Sequence, residues 1–148
     1  MTCPHFSAAE YQQRLSAVRR AMSEREIDLL LLSAPENIFY LTGLDHWGYF
    51  APHLLVVPAE GEMTLITRAM EKVTVANQVL NAHFEGHSDQ ETVADGFGRA
   101  LAACGRRPSR IGNESWSAGL PHGLALALRT HAPAAGWVDG SGLVDELR

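Results

Sequence analysis

The sequence predicts an α/β domain in which helices cover both faces of a mixed β-sheet. Helical and strand patterns alternate along the whole chain, which is typical of such sheets. Two apolar runs, His53–Val57 and Met63–Thr67, flank a short loop that contains Gly61. This arrangement predicts an antiparallel hairpin, so the sheet is not purely parallel. The 148 residues can bury a sizeable core but leave little room for a second domain, so we expect one domain over 1–148.

The first third of the chain carries clear start and stop patterns. Ser7 and Glu10 form a capping-box pattern that predicts the start of a helix. The apolar face of this helix consists of Tyr11, Leu15, Val18 and Met22. The continuously apolar run Ile27–Leu32 predicts a strand covered on both faces. Pro35 suits the first turn of a short helix to Tyr40, which Gly43 ends.

The elements after the hairpin follow from the same patterns. The predictions are a helix over about Ala69–Leu80, a brief strand over His83–His87, a helix opened by a second capping box at Ser88–Glu91 that turns Val93, Phe97 and Leu101 inward, a strand over Arg110–Gly112, a helix over Leu120–Thr130, a strand over Gly136–Val138, and the start of a helix over Ser141–Arg148.

Charge and composition exclude several classes of partner. Seventeen acidic against 12 basic residues give a net charge of −5, and the arginines are scattered, which argues against nucleic acid. No apolar run is long enough to span a membrane, so we expect no membrane partner. Cys3 and Cys104 cannot form a disulfide framework, and the N-terminus does not resemble a signal peptide. These features predict a cytoplasmic protein.

The sequence contains no self-contained active site. The HExxH, CxxC and GxSxG motifs and phosphate-binding glycine loops are absent, and the carboxylates are dispersed. His83 and His87 lie four residues apart in a predicted strand, about 13 Å from each other, which is too far to share one ion. We therefore expect neither catalytic residues nor a metal site in this chain.

The loop Asp45–His53 is the candidate binding segment. It carries the aromatic residues Trp47, Tyr49 and Phe50, together with His46 and His53. Large apolar side chains in a surface loop suggest a binding partner. The alternative is a lid that folds back over the core, and spacing alone favours that interpretation.

Several blocks of the sequence resemble the N-terminal domain of the creatinase/prolidase family. The most specific is Pro35-Glu36-Asn37-Ile38-Phe39-Tyr40-Leu41-Thr42-Gly43, preceded by Asp28-Leu29-Leu30-Leu31. The opening helix resembles that of the family in Phe6-Ser7, Glu10-Tyr11, Arg14-Leu15, Val18-Arg19 and Met22. Towards the end, Arg110-Ile111-Gly112 with Glu114, Val138-Asp139, Leu143-Val144 and Leu147-Arg148 resemble the family in the same order.

The resemblance implies a three-layer αβα domain with a mixed sheet of five or six strands. It also implies that a larger catalytic "pita-bread" domain follows, outside this chain. In peptidases of the family that domain holds a dinuclear Mn, Co or Zn centre, whereas creatinases use metal-free histidine chemistry. This N-terminal domain would bind no cofactor itself.

The resemblance further implies a homodimer in which this domain contacts its own catalytic domain. The loop after Gly43 would narrow the substrate cleft of its own subunit or that of the partner subunit. Tyr49, Phe50 and His53, with Trp47 and His46 behind them, would then select the shape and polarity of a small peptide or amide substrate. An Xaa-Pro peptidase is the default parent enzyme and a creatinase-like hydrolase the competitor. The alternative is a stand-alone protein-interaction module without enzymatic activity.

Overall fold

Six strands form one mixed sheet in the computed structural model, which describes residues 4–46, 51–105 and 107–148. The strands are β1 (Leu29–Leu32), β2 (Leu54–Pro58), β3 (Met63–Arg68), β4 (Ala82–His87), β5 (Arg110–Asn113) and β6 (Gly136–Asp139). Their order in the sheet is β4-β3-β2-β1-β5-β6. Strand β2 runs antiparallel to β1 and β3, and the other neighbouring pairs are parallel. The predicted hairpin and mixed sheet are confirmed.

Helices cover both faces of this sheet, which confirms the three-layer αβα architecture. They are α1 (Ala8–Glu24), α2 (Pro35–Thr42), α3 (Lys72–Gln78), α4 (Val93–Cys104) and α5 (His122–His131), with 3₁₀ turns at Ala69–Glu71 and Asp145–Leu147. Helices α1, α2 and α3 pack on one face, and α4 and α5 pack on the other. None of the helices within the described ranges is long and apolar enough to cross a membrane.

The central strand β1 supplies side chains to both cores. All four of its leucines are buried. Leu30 and Leu32 pack with the α1 side, whereas Leu29 and Leu31 pack with the α4 side around Phe97. Successive side chains of a strand point to opposite faces, so an uninterrupted leucine run is required for a strand that is covered on both sides.

The ends of α1 and α2 follow the sequence patterns. Ser7 Oγ accepts a hydrogen bond from the backbone N–H of Glu10 at 3.1 Å. The Glu10 carboxylate accepts a hydrogen bond from the Arg14 side chain at 2.9 Å, and not from the Ser7 backbone N–H as a capping box would require. Pro35 lies in the first turn of α2, and Gly43 ends the helix in the left-handed conformation.

Three predicted helices are corrected by the structure. The Ser88–Glu91 pattern forms only a turn, and α4 starts after Thr92, whose side chain forms a capping box with Asp95. The helix predicted over Ala69–Leu80 is a 3₁₀ turn followed by the shorter α3. The segment Ser141–Arg148 contains a 3₁₀ turn rather than an α-helix. In each case the local sequence pattern predicted more α-helix than the structure contains, and part of the segment forms a turn or a 3₁₀ turn instead.

Glu114 ties the end of β5 to the start of α2. Its carboxylate accepts hydrogen bonds from the backbone N–H groups of Ser33 and Ala34, at 2.6 and 2.7 Å, and from the Asn37 side chain. Ala34 is the N-cap of α2 and has no side-chain oxygen to offer. Glu114 therefore serves as the cap from a distant part of the chain. Burial raises the pKa of Glu114, against the three hydrogen bonds that lower it.

We expect Glu114→Ala to lower the free energy of unfolding by about 3 kcal/mol, because it leaves two buried backbone donors and the Asn37 amide without an acceptor. Glu114→Gln should cost only about 1 kcal/mol, since a carbonyl oxygen can still accept from Ser33 and Ala34. Urea denaturation measures both values. Glu24→Ala, at an exposed position of α1, is the control. If Glu114→Ala lowered the free energy of unfolding no more than Glu24→Ala does, the capping role of Glu114 would be contradicted.

Gly43 is required both by its backbone and by its surroundings. Its φ of 77° lies in the left-handed region, and a Cβ built there would stand 2.3 Å from the Tyr11 hydroxyl. Gly61 has a φ of 94°, but a Cβ there would meet no atom within 4 Å. A substitution at Gly61 therefore tests backbone strain alone, whereas one at Gly43 tests backbone strain together with steric overlap.

We expect Gly61→Ala to lower the free energy of unfolding by about 1 kcal/mol through backbone strain alone, and Gly43→Ala by about 3 kcal/mol because overlap with Tyr11 is added. Tyr11→Phe should restore part of the loss in the Gly43→Ala background, since it removes the nearest atom. Thermal and urea unfolding of Gly61→Ala, Gly43→Ala, Tyr11→Phe and the Gly43→Ala/Tyr11→Phe double variant measure the coupling free energy between positions 11 and 43. Equal losses at positions 43 and 61 would show that the overlap is unimportant.

Candidate functional site at the carboxyl edge of the sheet

Five strands end at the same edge of the sheet, because only β2 runs in the opposite direction. We call this the carboxyl edge. It carries polar residues from separate parts of the chain: Ser33 after β1, His53 before β2, Arg68 and His87 at the ends of β3 and β4, and Glu114 after β5. In open α/β sheets ligands bind in the crevice outside the carboxyl ends of the strands.

His46 and His53 lie together at this edge. Their ring centroids are 4.8 Å apart and the rings are tilted by 33°. His53 is only 7% exposed, and His46 is more accessible. His46 Nε2 stands 3.5 Å from a carboxylate oxygen of Glu71. The two histidines that the sequence singled out are thus neighbours in space, at the two ends of the candidate loop.

His53 is neutral at physiological pH. Burial is the main cause that lowers its pKa from 6.5 to about 4, and the nearby His46 and His87 lower it further. An imidazole with this pKa exchanges no proton with a substrate near pH 7. It can still donate one hydrogen bond and accept another, which suits recognition rather than acid–base chemistry.

His87 is the functional candidate that sequence reasoning did not select. It was weighed only as a metal partner of His83, yet it is 5% exposed and its Nδ1 lies 2.9 Å from the Ser88 carbonyl oxygen. His83 is exposed, four residues away along β4. The available indication was the position of His87 at the end of a parallel strand, where side chains meet at the carboxyl edge.

A cleft of about 410 Å³ opens beside His87. Pro52, His87 and Arg68 line it together with residues from the starts of α4 and α5, among them Thr92 and Leu124. The Arg68 guanidinium donates to the carboxylate of Asp89, with nitrogen–oxygen distances of 2.9 and 3.3 Å. Apolar walls with a few polar groups, at this volume, are suited to a small ligand.

The aromatic residues Trp47, Tyr49 and Phe50 lie outside the described residues, and their predicted roles remain predictions. The structure does place the segments that flank them. The chain leaves α2 at Gly43, passes His46, and re-enters at Ala51 and Pro52, which line the cleft. Within the described ranges no three His, Cys, Asp or Glu side chains gather as a metal site would require.

Comparison with known families decides the relationship of this chain. The model of the Creatinase/Prolidase N-terminal domain matches residues 14–148. The chain belongs to this family. The match covers every strand of the sheet and the histidines at its carboxyl edge.

Two relatives align in sequence with slightly less than half of this chain. An uncharacterized hydrolase/peptidase, y4tM, of Sinorhizobium fredii is 41% identical over 69 residues, which are 46% of this chain and 18% of that protein. The ectoine hydrolase of Halomonas elongata is 38% identical over 66 residues, or 45% of this chain and 16% of that protein. The aligned segments thus amount to less than a fifth of each relative's own length.

Solved structures of the family share the fold across nearly the whole chain. The N-terminal domain of an Xaa-Pro dipeptidase from Lactobacillus brevis superposes with a TM-score of 0.80 at 18% identity, over 90% of this chain and 98% of that one. An Xaa-Pro aminopeptidase structure from Streptococcus pyogenes gives 0.76 at 20% identity, with coverages of 96% and 100%. The dipeptidase PepE from Mycobacterium ulcerans gives 0.74 at 21% identity, over 97% of this chain but 38% of that protein.

We expect stability to fall as pH is lowered from 6.5 to about 4, because the unfolded chain takes up a proton at His53 that the folded chain refuses. The pKa difference corresponds to about 3 kcal/mol. His53→Gln should flatten this part of the pH profile in urea denaturation, whereas His122→Gln, at an exposed position, should not. If the two variants and the parent chain share one profile, the buried neutral histidine is not the cause.

Proposed function

We propose that this chain is the non-catalytic N-terminal domain of a creatinase/prolidase-like hydrolase that cleaves a C–N bond in a small peptide or amide. In this role the domain shapes the substrate cleft and contributes oligomer contacts. The catalytic groups lie in a pita-bread domain outside these 148 residues.

The positions of the two ends of the loop Asp45–His53 carry the proposal. Its two histidines lie at the carboxyl edge, 4.8 Å apart, and Ala51 and Pro52 line the cleft. A neutral His53 and the Arg68–Asp89 pair are polar groups suited to orienting a ligand. The aromatic residues between the two histidines would supply an apolar wall, and none of these groups is needed to break a bond.

Two substrate classes follow from the relatives. Their names include an ectoine hydrolase and Xaa-Pro peptidases. An Xaa-Pro dipeptide is the default substrate of the parent enzyme, and a small guanidino or amidine compound of the creatine or ectoine type, or another small amide, is the competitor. A dinuclear Mn, Co or Zn centre accompanies the first class and would be held by the catalytic domain.

The proposed oligomer contact is an exposed apolar surface that follows β3. Met70 and Val73 lie three residues apart on consecutive helical turns after β3, and they are 67% and 71% exposed. Large apolar side chains that share one exposed face commonly mark a subunit contact.

We expect the isolated chain to hydrolyse neither Xaa-Pro dipeptides nor creatine nor ectoine, with or without Mn²⁺ or Zn²⁺. In the full-length enzyme, Tyr49→Ala with Phe50→Ala should raise KM or lower kcat/KM about tenfold while Tm stays nearly constant, because the pair contacts substrate rather than the core. Leu126→Ala, on the exposed side of α5, is the control for an apolar truncation elsewhere.

Three results would overturn these expectations. Turnover that copurifies with the isolated chain would show that the domain is itself catalytic. A large fall in Tm with unchanged kinetics would identify the aromatic residues as a lid on the core. A native protein that lacks any catalytic region would favour the stand-alone interaction module.

A further inference from the structure

The cleft at the carboxyl edge carries a charged pair on one wall. Arg68 ends β3 and points to the same face of the sheet as Ile66, which packs on the α4 side, because residues two apart along a strand share a face. Arg68 and Asp89 both line the cleft, and their side chains are hydrogen-bonded to each other. These side chains are 32% and 80% exposed, so a ligand in the cleft can reach both charged groups.

The hydrogen bonds of this pair leave one edge of the guanidinium free. Nε and Nη2 of Arg68 both donate to the same oxygen of Asp89, Oδ1, and Nη1 has no hydrogen-bond partner within the described residues. A guanidinium carries N–H groups along two edges, each of which can bind a carboxylate through two parallel hydrogen bonds. Asp89 therefore holds the guanidinium in place by one edge, and the edge formed by Nη1 and Nη2 can bind a second carboxylate.

The other oxygen of Asp89 offers a site for positive charge. Asp89 Oδ2 accepts no hydrogen bond from the part of the chain that the structure describes. Glu91 also lines the cleft, but both of its oxygens already accept from Arg99. A ligand with a cationic nitrogen as well as a carboxylate matches both members of the Arg68–Asp89 pair, whereas a simple anion would be repelled by Asp89.

The remaining walls of the cleft agree with a ligand of this kind. Gly123 and Leu124, in the first turn of α5, line the cleft, and this helix has neither a side-chain cap nor an acidic residue in its first turn. Its free N–H groups and its dipole therefore add to the attraction that Arg68 exerts on a carboxylate. Pro52, Val93 and Ala127 supply apolar surface.

We propose that the cleft binds a small zwitterion with an apolar body, such as a dipeptide, by its two charged ends. The free edge of Arg68 binds the carboxylate, and Asp89 Oδ2 accepts a hydrogen bond from the ammonium group. The volume of about 410 Å³ lies at the small end of the range of known ligand pockets. This inference rests on the proposed function for the choice of a dipeptide, and it names the substrate groups that the domain recognises.

The test is an NMR titration of the ¹⁵N-labelled chain with the dipeptide Ala-Pro. We expect a Kd of about 1 mM and shifts of the amides around Arg68, Asp89 and Gly123. Ala-prolinamide lacks the carboxylate, and N-acetyl-Ala-Pro lacks the ammonium group. Each should bind about tenfold more weakly than Ala-Pro, because each loses a hydrogen bond between charged groups.

Two variants separate the two halves of the site. Arg68→Gln should remove the preference for Ala-Pro over Ala-prolinamide. Asp89→Asn keeps an acceptor for Arg68 but should remove the preference for Ala-Pro over N-acetyl-Ala-Pro. Arg25→Gln is the matched control, because Arg25 forms a similar exposed ion pair with Glu146, at 3.2 Å, and does not line the cleft. Exposed ion pairs contribute little to stability, so all three variants should keep nearly the same Tm.

Three outcomes would overturn the proposal: no shifts around the cleft at about 20 mM Ala-Pro, equal binding of the three peptides by the parent chain, or unchanged selectivity in Arg68→Gln and Asp89→Asn. Because the isolated chain is titrated, the result does not depend on a catalytic domain. Selective binding together with a full-length enzyme that cleaves no peptide would support this site and contradict the proposed function. Cleavage of Ala-Pro by the full-length enzyme without selective binding by the chain would contradict this inference alone.

Discussion

The burial of β1 on both faces is the constraint on which the rest of the molecule depends. Four consecutive leucines alternate between the two cores, so neither face of the strand can be left to solvent. Each buried leucine contributes about 2 kcal/mol of hydrophobic stabilisation. The strand therefore has to lie between two neighbours, and β2 and β5 occupy those places in opposite directions.

This central position also determines where chemistry can occur. Strands β1, β3, β4 and β5 point the same way, so the residues that follow them meet at one edge although they are far apart in sequence. The antiparallel β2 brings its first residues to the same edge, which is how His53 comes to lie near His87. Desolvation then keeps His53 neutral, which leaves it as a buried hydrogen-bonding group next to Pro52, a residue that lines the cleft.

The architecture was predictable from the sequence because its main determinants are local. The leucine run, the Gly61 hairpin and the Pro35 and Gly43 boundaries of α2 each follow from backbone or burial preferences of a few residues. The start of α4 was not predictable in this way. Ser88 and Glu91 satisfy the same pattern as Thr92 and Asp95, and only the path of the chain from β4 to α4 selects the second pair.

The candidate site was only partly predictable, for a related reason. His46 and His53 attract notice because they flank an aromatic loop, and the structure places them side by side. His87 lies 34 positions beyond His53 and carries no local motif. Its membership of the site depends on the register of β3 and β4, which no short pattern encodes.

The long reach of Glu114 has a consequence for the order of folding. Its partners Ser33 and Ala34 are 81 and 80 residues away along the chain. An isolated helix of eight residues such as α2 is unstable in water, and this one has no cap of its own. Glu114 can reach Ser33 and Ala34 only when β5 has docked beside β1. A contact that closes such a long loop slows folding and joins both halves of the sheet into one cooperative unit.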